Sequence, residues 1–308
     1  MFAHHLVLGL ALNLTFIRVI KKLPKFLRKL GLTTAAQSAQ IYYQNCLIQY
    51  LYQQNSSLLK RLNTKNIKTQ PSNTIWVCWL QGYENAPTLV KKCIDQLKYH
   101  HDNVVLIDLN NYMTYVDIPQ FIIEKFQSKI ITPTHFSDIL RFALMSQHGG
   151  IWIDSTYLIL DKLPNTIFES NFFTLSSKLD FFKQWIPEGK WSGNFMKFNK
   201  DDPTPSIIFQ CFINYWQKNN HLIDYFLIDF IIKVNYLHNP RFNSQINQTL
   251  PMADQIFLMS EILLIPISQE NDLRIAQDPL QIYKLSYRVD ATPDNINGTY
   301  YEKYILSK

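Results

Sequence analysis

The chain has 308 residues, with 47% hydrophobic and 18% charged residues, which is typical of a folded globular protein and excludes a disordered or fibrous one. Its formal net charge of +6 is modest and its sequence has no long basic array with interleaved aromatic residues, so nucleic acid is a poor first hypothesis for a partner. The cysteines form no CxxC pair, which argues against a zinc site or disulfide framework and favours a reducing cytoplasm.

The N-terminal segment 2–20 is mostly apolar but contains two histidines, an asparagine and an arginine. A spanning helix needs about 20 clean apolar residues, so the segment is marginal as a span. A secretory signal would carry its positive charge before the apolar run, whereas KKLPKFLRKL follows it. Two alternatives remain. One is an interfacial anchor whose basic residues lie near anionic lipid headgroups, and the other is an ordinary helix packed on the domain with a solvated basic turn.

Residues 33–62 predict a helix, because apolar residues recur every three to four positions and no Pro or Gly interrupts them. The polar stretch NTKNIKTQPSN follows this helix. It is the predicted boundary between an N-terminal helical region, residues 1–70, and a main domain, residues 71–308.

Beyond this boundary predicted strands alternate with predicted helices. TIWVCWL, NVVLIDL and IWID predict buried strands, whereas residues 86–101, 119–127 and 134–148 predict helices. The alternation predicts an α/β fold with a mostly parallel sheet flanked by helices. Ligands bind such sheets beyond the carboxyl ends of the strands, so the loops after Trp79, Asp108 and Asp154 are expected on one rim.

The stretch HFSDILRFALMSQHGGIWIDST, residues 135–156, places Asp154 directly after a buried strand on that rim. Asp138 and Arg141 are three residues apart on the preceding helix and therefore share one face. The planar fork of an arginine suits phosphate or sugar oxygens, and the Gly149-Gly150 pair permits a tight turn and close approach of a ligand. The pattern indicates a polyol or phosphate site. The alternative is a surface ion pair of Asp138 with Arg141 and a capping role for Asp154.

The segment SDILRFALMSQHGGIWID resembles the S-D-x-x-R…G-G-x-[YW]-x-D segment of glycosyltransferases with the GT-A fold. It is most similar to the bacterial capsular polysaccharide synthesis family, which is related to retaining sugar transferases. WVCWLQGYENAP and HLIDYFLIDFIIK resemble the first strand and a later helix of that family. The resemblance implies a GT-A type, Rossmann-like domain. It also implies transfer of a sugar, with retention of configuration, from a nucleotide diphosphate donor, expected to be UDP-linked, to a hydroxyl of a capsular or other surface glycan.

The resemblance also implies roles for individual residues. Asp138 and Arg141 match the pair that holds the ribose and the sugar hydroxyls, and Asp154 matches the first carboxylate of a D-x-D motif, so these three are the expected catalytic residues. Trp79 matches the aromatic residue that stacks on the base, with a core tryptophan as the alternative. The other expected donor contacts are Gln81, Gly150, Thr156, Lys284 and Ser286, of which Lys284 and Ser286 would bind the phosphates.

The resemblance further implies a divalent metal, Mn²⁺ or Mg²⁺, because the carboxylates of a D-x-D motif hold a hard cation against the diphosphate. Here Thr156 replaces the second carboxylate, and QIY precedes the YKLSYR segment where related enzymes can carry a metal-binding acid. A metal is therefore expected only in a weakened site made by Asp154 and Thr156. The histidines show no metal-ligand spacing.

Four residues are expected on the acceptor side of the site: Trp191, Asn194, Asp229 and Asp254. A core position is the alternative for Trp191, and helix capping is the alternative for Asp254. Asp229 lies in an apolar helix, where a carboxylate is costly unless it faces a site or a partner.

A second function class is a catalytically inactive protein that binds a nucleotide sugar or a glycan on a transferase scaffold, which Thr156 in the motif would fit. Under either function the expected partners are a nucleotide sugar and a glycan or lipid-linked glycan. The expected location is the cytoplasm, with residues near the N-terminus on the cytoplasmic face of the membrane.

Overall fold

A computed structural model describes residues 13–60 and 67–307 of the chain. Residues 2–12 of the apolar N-terminal segment, residues 61 and 62 of the predicted helix and residues 63–66 of the predicted boundary lie outside the described residues. The helices are α1 Leu14–Lys29, α2 Thr33–Lys60, α3 Thr88–His100, α4 Tyr112–Tyr115, α5 Gln120–Gln127, α6 Pro133–His148, α7 Asn165–Glu169, α8 Pro203–Lys218, α9 Leu227–His238, α10 Pro240–Gln248, α11 Leu258–Ile262 and α12 Gln269–Gln277. The strands are β1 Ile75–Cys78, β2 Val104–Ile107, β3 Gly150–Ile153, β4 Tyr157–Ile159, β5 Phe172–Thr174, β6 Phe195–Phe198 and β7 Ile282–Lys284.

The elements predicted around the site are present. The helix predicted from residue 33 is α2, and the later predicted helices are α3, α5 and α6, each within two residues of its predicted ends. The three predicted strands are β1, β2 and β3, which are short apolar runs between polar segments. Hydrophobic patterning therefore locates the strands that precede Trp79, Asp108 and Asp154 and the helix that carries Arg141.

The central sheet has five strands in the order β2-β1-β3-β6-β5. Strand β1 pairs in parallel with both β2 and β3, whereas β6 is antiparallel to β3 and to β5. Four of the five strands thus point the same way and β6 is reversed, so the predicted α/β fold with a mostly parallel sheet is confirmed. A separate antiparallel ribbon joins β4 to β7 and pairs Tyr157 with Lys284.

The chain forms two compact units. The first contains the described part of residues 1–66 together with 119–139 and 206–244. Within it α1 packs on α2, and α2 packs on α9. Asp224 joins these helices, because it accepts a hydrogen bond of 2.6 Å from the Tyr43 hydroxyl and lies 3.0 Å from the Lys21 ammonium. Residues 119–139 and 206–244 therefore belong to the same unit as the N-terminal helices. The predicted division at residue 70 assigns these two segments to the main domain.

The second unit contains residues 67–118, 140–205 and 245–308 and holds every strand of the described chain. Its core is formed by apolar side chains of the sheet, among them Ile75, Val77, Ile151, Ile153 and Phe195, all at most 1% exposed. The rigid sheet that this core supports carries the candidate site along one edge.

The glycine pair between α6 and β3 is required by close packing. Gly149 has φ +64° and Gly150 has φ +101°, a region that favours glycine. A Cβ on Gly150 would lie 2.5 Å from the Thr74 carbonyl oxygen and 2.7 Å from the Trp76 indole nitrogen. Protein atoms therefore fill the space beside Gly150, contrary to the expectation that the glycine leaves room for a ligand.

Candidate active site

The candidate site lies where β1, β2 and β3 end. These strands are parallel neighbours, so the residues that follow them, Trp79, Asp108 and Asp154, share one edge of the sheet as predicted. The pKa of the buried Cys78 thiol at the end of β1 is raised by burial and further by the negative charge of Asp154. Asp154 is thus close enough to the end of β1 for its charge to affect the pKa of Cys78.

Asp154 is the centre of a charged cluster. Its Oδ1 accepts hydrogen bonds from Arg141 Nη2 at 3.0 Å and from the Trp152 indole at 2.8 Å. Its Oδ2 accepts a hydrogen bond from Lys284 Nζ at 2.9 Å. Two cations therefore bracket one carboxylate whose side chain remains 27% exposed at the edge of the sheet. Asp154 and Arg141, predicted to belong to one site, are brought together.

The two cations keep Asp154 ionised. Burial alone would raise the pKa of Asp154, but the ammonium of Lys284 and the guanidinium of Arg141 outweigh burial and hold that pKa below its ordinary value. Because the folded-state pKa is lowered, the stabilisation from these pairs is complete at neutral pH. It is lost only as pH falls below the ordinary pKa of 3.8 and through the lowered one.

Arg141 projects from α6 into the protein and is only 4% exposed. Its Nη1 donates to the Gly193 carbonyl, its Nη2 donates to Asp154, and its guanidinium lies 4.8 Å from the centre of the Trp152 ring. A buried guanidinium needs a counter-charge, and Asp154 supplies it. The expected contact of Arg141 with donor hydroxyls stays a prediction.

Lys284 is the last residue of β7, and antiparallel pairing with β4 brings it beside the D-S-T stretch. Its Nζ donates to Thr156 Oγ1 at 2.7 Å as well as to Asp154, and lies 5.0 Å from the centre of the Tyr157 ring. The Lys284 side chain is 20% exposed, so solvent reaches it. Lys284, which is expected to bind phosphate, thus contacts Asp154 and Thr156, the two residues expected to bind a metal.

The side chains at this position fit a divalent metal poorly. A metal held by Asp154 and Thr156 would compete with Lys284 for oxygens of both residues and would meet two neighbouring positive charges. Within residues 13–60 and 67–307, no three His, Cys, Asp or Glu side chains are grouped as a metal site. The cation that this arrangement accommodates is the ammonium already present.

Trp79 is half-buried and meets the edge of the Tyr287 ring at 5.5 Å between ring centres. Its indole nitrogen is buried and has no hydrogen-bond partner among the described residues, whereas Trp76 donates to the Gly149 carbonyl at 2.9 Å. Tyr287 contacts Trp79 and Lys284 contacts Asp154, so the segment 284–287 lies between the two parts of the candidate site. This placement is compatible with the predicted stacking on a base.

Gln81 and Ser286 lie on exposed loops near these elements. The Gln81 carbonyl accepts a hydrogen bond of 2.8 Å from the Asn85 amide, and the Ser286 hydroxyl accepts one of 3.2 Å from the Arg288 backbone. Gly150 is different, since it begins β3 and lies about 13 Å along the strand from Asp154 at ~3.3 Å per residue. The packing described above accounts for that glycine without a donor contact.

Asp138 belongs to the first unit, where it is 7% exposed and its Oδ2 lies 3.5 Å from His135 Nδ1. The Trp216 indole donates to His135 Nε2 at 3.0 Å, so Nε2 is an acceptor and Nδ1 is the ring nitrogen that faces Asp138. The sequence pattern indicates no role for the histidines. The spacing of three residues between His135 and Asp138 on one helix was the available signal.

Among the residues expected to face an acceptor, Trp191 is only 3% exposed, which supports the core alternative and leaves no ring face to stack on a sugar. Asn194 is next to the charged cluster. Its carbonyl oxygen accepts from the Asp154 backbone at 3.0 Å, and its side-chain oxygen accepts from the Tyr157 hydroxyl at 2.6 Å. Asn194 is therefore the residue of this group that the structure places beside Asp154.

The two acidic residues of the acceptor group are placed differently. Asp229 lies in the first turn of α9 in the first unit, where the helix dipole favours a carboxylate. Asp254 is exposed and accepts a hydrogen bond of 2.6 Å from the Ser177 hydroxyl. Since α11 begins only at Leu258, the capping alternative for Asp254 does not apply.

Comparison with known proteins gives one sequence family. The family described as "Capsular polysaccharide synthesis protein" matches residues 28–304. A search of curated proteins found no match. Similar solved structures include the PaToxG glycosyltransferase, at 16% identity over 66% of this chain and 81% of that chain with a TM-score of 0.40. They also include the glycosyltransferase GlyE of Streptococcus pneumoniae TIGR4, at 14% identity over 78% of this chain and 61% of that chain with a TM-score of 0.40.

Proposed function

Since the chain belongs to the capsular polysaccharide synthesis protein family, we propose that it transfers a sugar from a nucleotide diphosphate, expected to be UDP, to a hydroxyl of a glycan or lipid-linked glycan. One observation carries this proposal. At the ligand-binding edge of the sheet, a single carboxylate, Asp154, is bracketed by Arg141 and Lys284. The cluster carries one more positive than negative charge, which suits an anionic diphosphate.

The chemistry of transfer explains why such a cluster is useful. The bond between the anomeric carbon and the donor phosphate oxygen breaks, and a bond from the acceptor oxygen to the same carbon forms on the same face. Because the new bond forms on the face that the leaving group vacates, configuration is retained. The proton of the acceptor hydroxyl passes to an oxygen of the leaving diphosphate, so no dedicated base is required. The protein stabilises the negative charge that develops on the leaving group, and Lys284 is the exposed cation placed to do so.

Other residues of the proposal position the reactants. Trp79 supports the base of the donor. Asn194 offers its amide to the acceptor beside Asp154. Asp254 completes the proposed acceptor side, and transfer takes place in the cytoplasm.

The proposal is tested with a panel of UDP-, GDP- and ADP-sugars, by thermal shift and by release of the free nucleotide. A bound donor raises the melting temperature by mass action, and turnover releases the nucleotide diphosphate. Asp154→Asn is expected to lose turnover, and Asp161→Asn, which changes an exposed carboxylate of the same unit, is the matched control.

The outcomes of this panel separate the candidate functions. Turnover of one donor with loss in Asp154→Asn supports the transferase. Binding without turnover of any donor supports the inactive binding protein instead. Absence of both binding and turnover across the panel contradicts the proposed function.

A second part of the proposed function concerns location, because α1 exposes an apolar stripe. Phe16, Val19, Leu23 and Phe26 recur every three to four residues and are 42%, 65%, 41% and 59% exposed. Ile17, Ile20 and Pro24 lie on another face of α1 and are buried. The helix therefore packs through one apolar face and presents a second one to solvent.

Four exposed basic residues lie on the same helix: Lys22, Lys25, Arg28 and Lys29, whereas Lys21 is paired with Asp224. Each basic residue near an anionic bilayer adds about 1 kcal/mol of binding, and each buried large apolar side chain adds about 1.5–3 kcal/mol. We propose that α1 lies on the cytoplasmic face of an anionic membrane. No helix in the described ranges is both long and apolar enough to cross a bilayer.

Vesicle flotation tests this proposal. The full chain is expected to float with vesicles that contain phosphatidylglycerol and to float less with pure phosphatidylcholine. Val19→Glu/Phe26→Glu is expected to weaken binding by about a hundredfold or more, since two apolar anchors are lost. The matched control is Tyr99→Glu/Leu250→Glu, which changes side chains that are 82% and 72% exposed outside α1. Equal flotation of both double variants, or self-association through α1 without vesicle binding, would overturn the membrane proposal.

A further inference from the structure

Lys284 occupies the position at which a D-x-D motif would hold its cation. Its Nζ donates to Asp154 Oδ2 at 2.9 Å and to Thr156 Oγ1 at 2.7 Å. These are the first and third residues of the D-S-T stretch, so one ammonium bridges the two side chains that would otherwise share a metal. A single positive charge thus lies where a divalent ion is expected.

The backbone fixes Lys284 in this position. Its strand β7 is paired with β4 so that Lys284 lies opposite Tyr157, and its own backbone N–H donates to the Ile256 carbonyl at 2.8 Å. The Lys284 ammonium lies over the Tyr157 ring, with Nζ 5.0 Å from the ring centre. The lysine is consequently anchored at its backbone and at its charged end.

The carboxylate has little capacity left for a metal. Asp154 Oδ1 already accepts from Arg141 and Trp152, and Oδ2 accepts from Lys284. An incoming divalent ion would have to displace the ammonium and would then face the buried guanidinium of Arg141. By contrast, a lysine ammonium has three N–H donors and two are used within the described residues, so the third remains for a phosphate oxygen.

From these contacts we propose that Lys284 replaces the divalent cation, and that the chain binds the donor diphosphate and transfers the sugar without a metal. The inference rests on the proposed function, since it assigns the charge that stabilises the leaving diphosphate. Asp154 and Thr156 then serve to orient the ammonium, and Arg141 holds Asp154 in place through its hydrogen bond to Oδ1.

The first test measures binding of UDP to the purified full chain by isothermal titration calorimetry, once with EDTA and once with Mn²⁺. The expected result is the same dissociation constant in both conditions. Binding that requires Mn²⁺ would overturn the inference, because the metal and not Lys284 would then hold the diphosphate. This measurement needs no variant, so it does not depend on how a substitution affects folding.

The second test compares three lysine variants by the same titration in EDTA. Lys284→Met is expected to weaken UDP binding on the order of tenfold to a hundredfold, because a charge-assisted hydrogen bond is lost. Lys284→Arg keeps the charge and is expected to recover most of the affinity. The matched control is Lys303→Met, which removes an exposed lysine paired with Asp272 at 2.9 Å in the same unit. Unchanged affinity in Lys284→Met would contradict the inference.

The same titrations distinguish failure of the inference from failure of the proposed function. If UDP binds only with Mn²⁺, the proposed transferase function is still supported, but the proposed role of Lys284 in place of the metal is contradicted. If UDP, GDP and ADP all fail to bind in both conditions, the proposed function falls and the inference falls with it.

Discussion

Asp154→Asn is expected to lower the rate of sugar transfer by on the order of a hundred- to a thousandfold, a magnitude typical of losing one preorganised electrostatic group. The carboxylate holds Lys284 through Oδ2 and Arg141 through Oδ1. An amide carries no charge, and its NH₂ group repels whichever cation it faces. The ammonium would then leave the position from which it stabilises the diphosphate. The rate is measured as kcat/KM for donor turnover at neutral pH.

The same substitution is expected to destabilise the fold. Arg141 is 4% exposed and would lose its counter-charge, and breaking a buried ion pair by removing one partner costs about 3–5 kcal/mol. The free energy of unfolding is measured by urea denaturation, and turnover is compared at a temperature where both proteins are folded. Asp161→Asn should change neither quantity. If folded Asp154→Asn turned over the donor at the wild-type rate, the assignment of Asp154 to the active site would be contradicted.

Gly150→Ala is expected to lower the free energy of unfolding by about 3 kcal/mol or more. The new Cβ would lie 2.5 Å from the Thr74 carbonyl oxygen, and the backbone would keep φ +101°. A residue held at such a φ costs about 1–3 kcal/mol, and overpacking a rigid site adds about 1–3 kcal/mol.

The matched control is Gly298→Ala, since Gly298 has φ +69° in the same unit but no atom within 4 Å of an added Cβ. Gly298→Ala is expected to lower the free energy of unfolding only by the cost of holding an alanine at positive φ. Urea denaturation of the two variants separates packing from backbone strain. Equal destabilisation of both would contradict the packing role assigned to Gly150.

The parts of the fold near the site are predictable because they depend on local patterns. Strands β1, β2 and β3 are apolar runs between polar segments, and α6 ends at a glycine pair that no other residue can replace without strain. The reversed strand β6 and the β4–β7 ribbon escaped prediction, since they are short and their pairing depends on distant segments.

The candidate site was predictable only in part for the same reason. Arg141 and Asp154 are 13 residues apart, and their pairing follows from one helix and the next strand. Lys284 and Asp154 are 130 residues apart, so no spacing rule could bring them together, and only the family resemblance indicated Lys284. Hydrogen bonds of buried groups, such as His135 with Trp216, likewise require coordinates.

The contacts of Asp154 differ from those expected from the sequence. An aspartate directly after an apolar strand suggested a ligand for a metal or for sugar hydroxyls. The structure surrounds it with an indole, a guanidinium and an ammonium, so its described role is to hold two cations in place. Sequence patterns identify a charged residue, but they do not reveal which charges neutralise it.

An experimental structure of the full chain with UDP bound would test the roles of Lys284 and Trp79 most directly. We expect a phosphate oxygen within hydrogen-bond distance of Lys284 Nζ, with Nζ still bonded to Asp154 and Thr156, and the uracil ring against Trp79. A UDP molecule bound elsewhere, with no contact to the cluster of Arg141, Asp154 and Lys284, would contradict these roles.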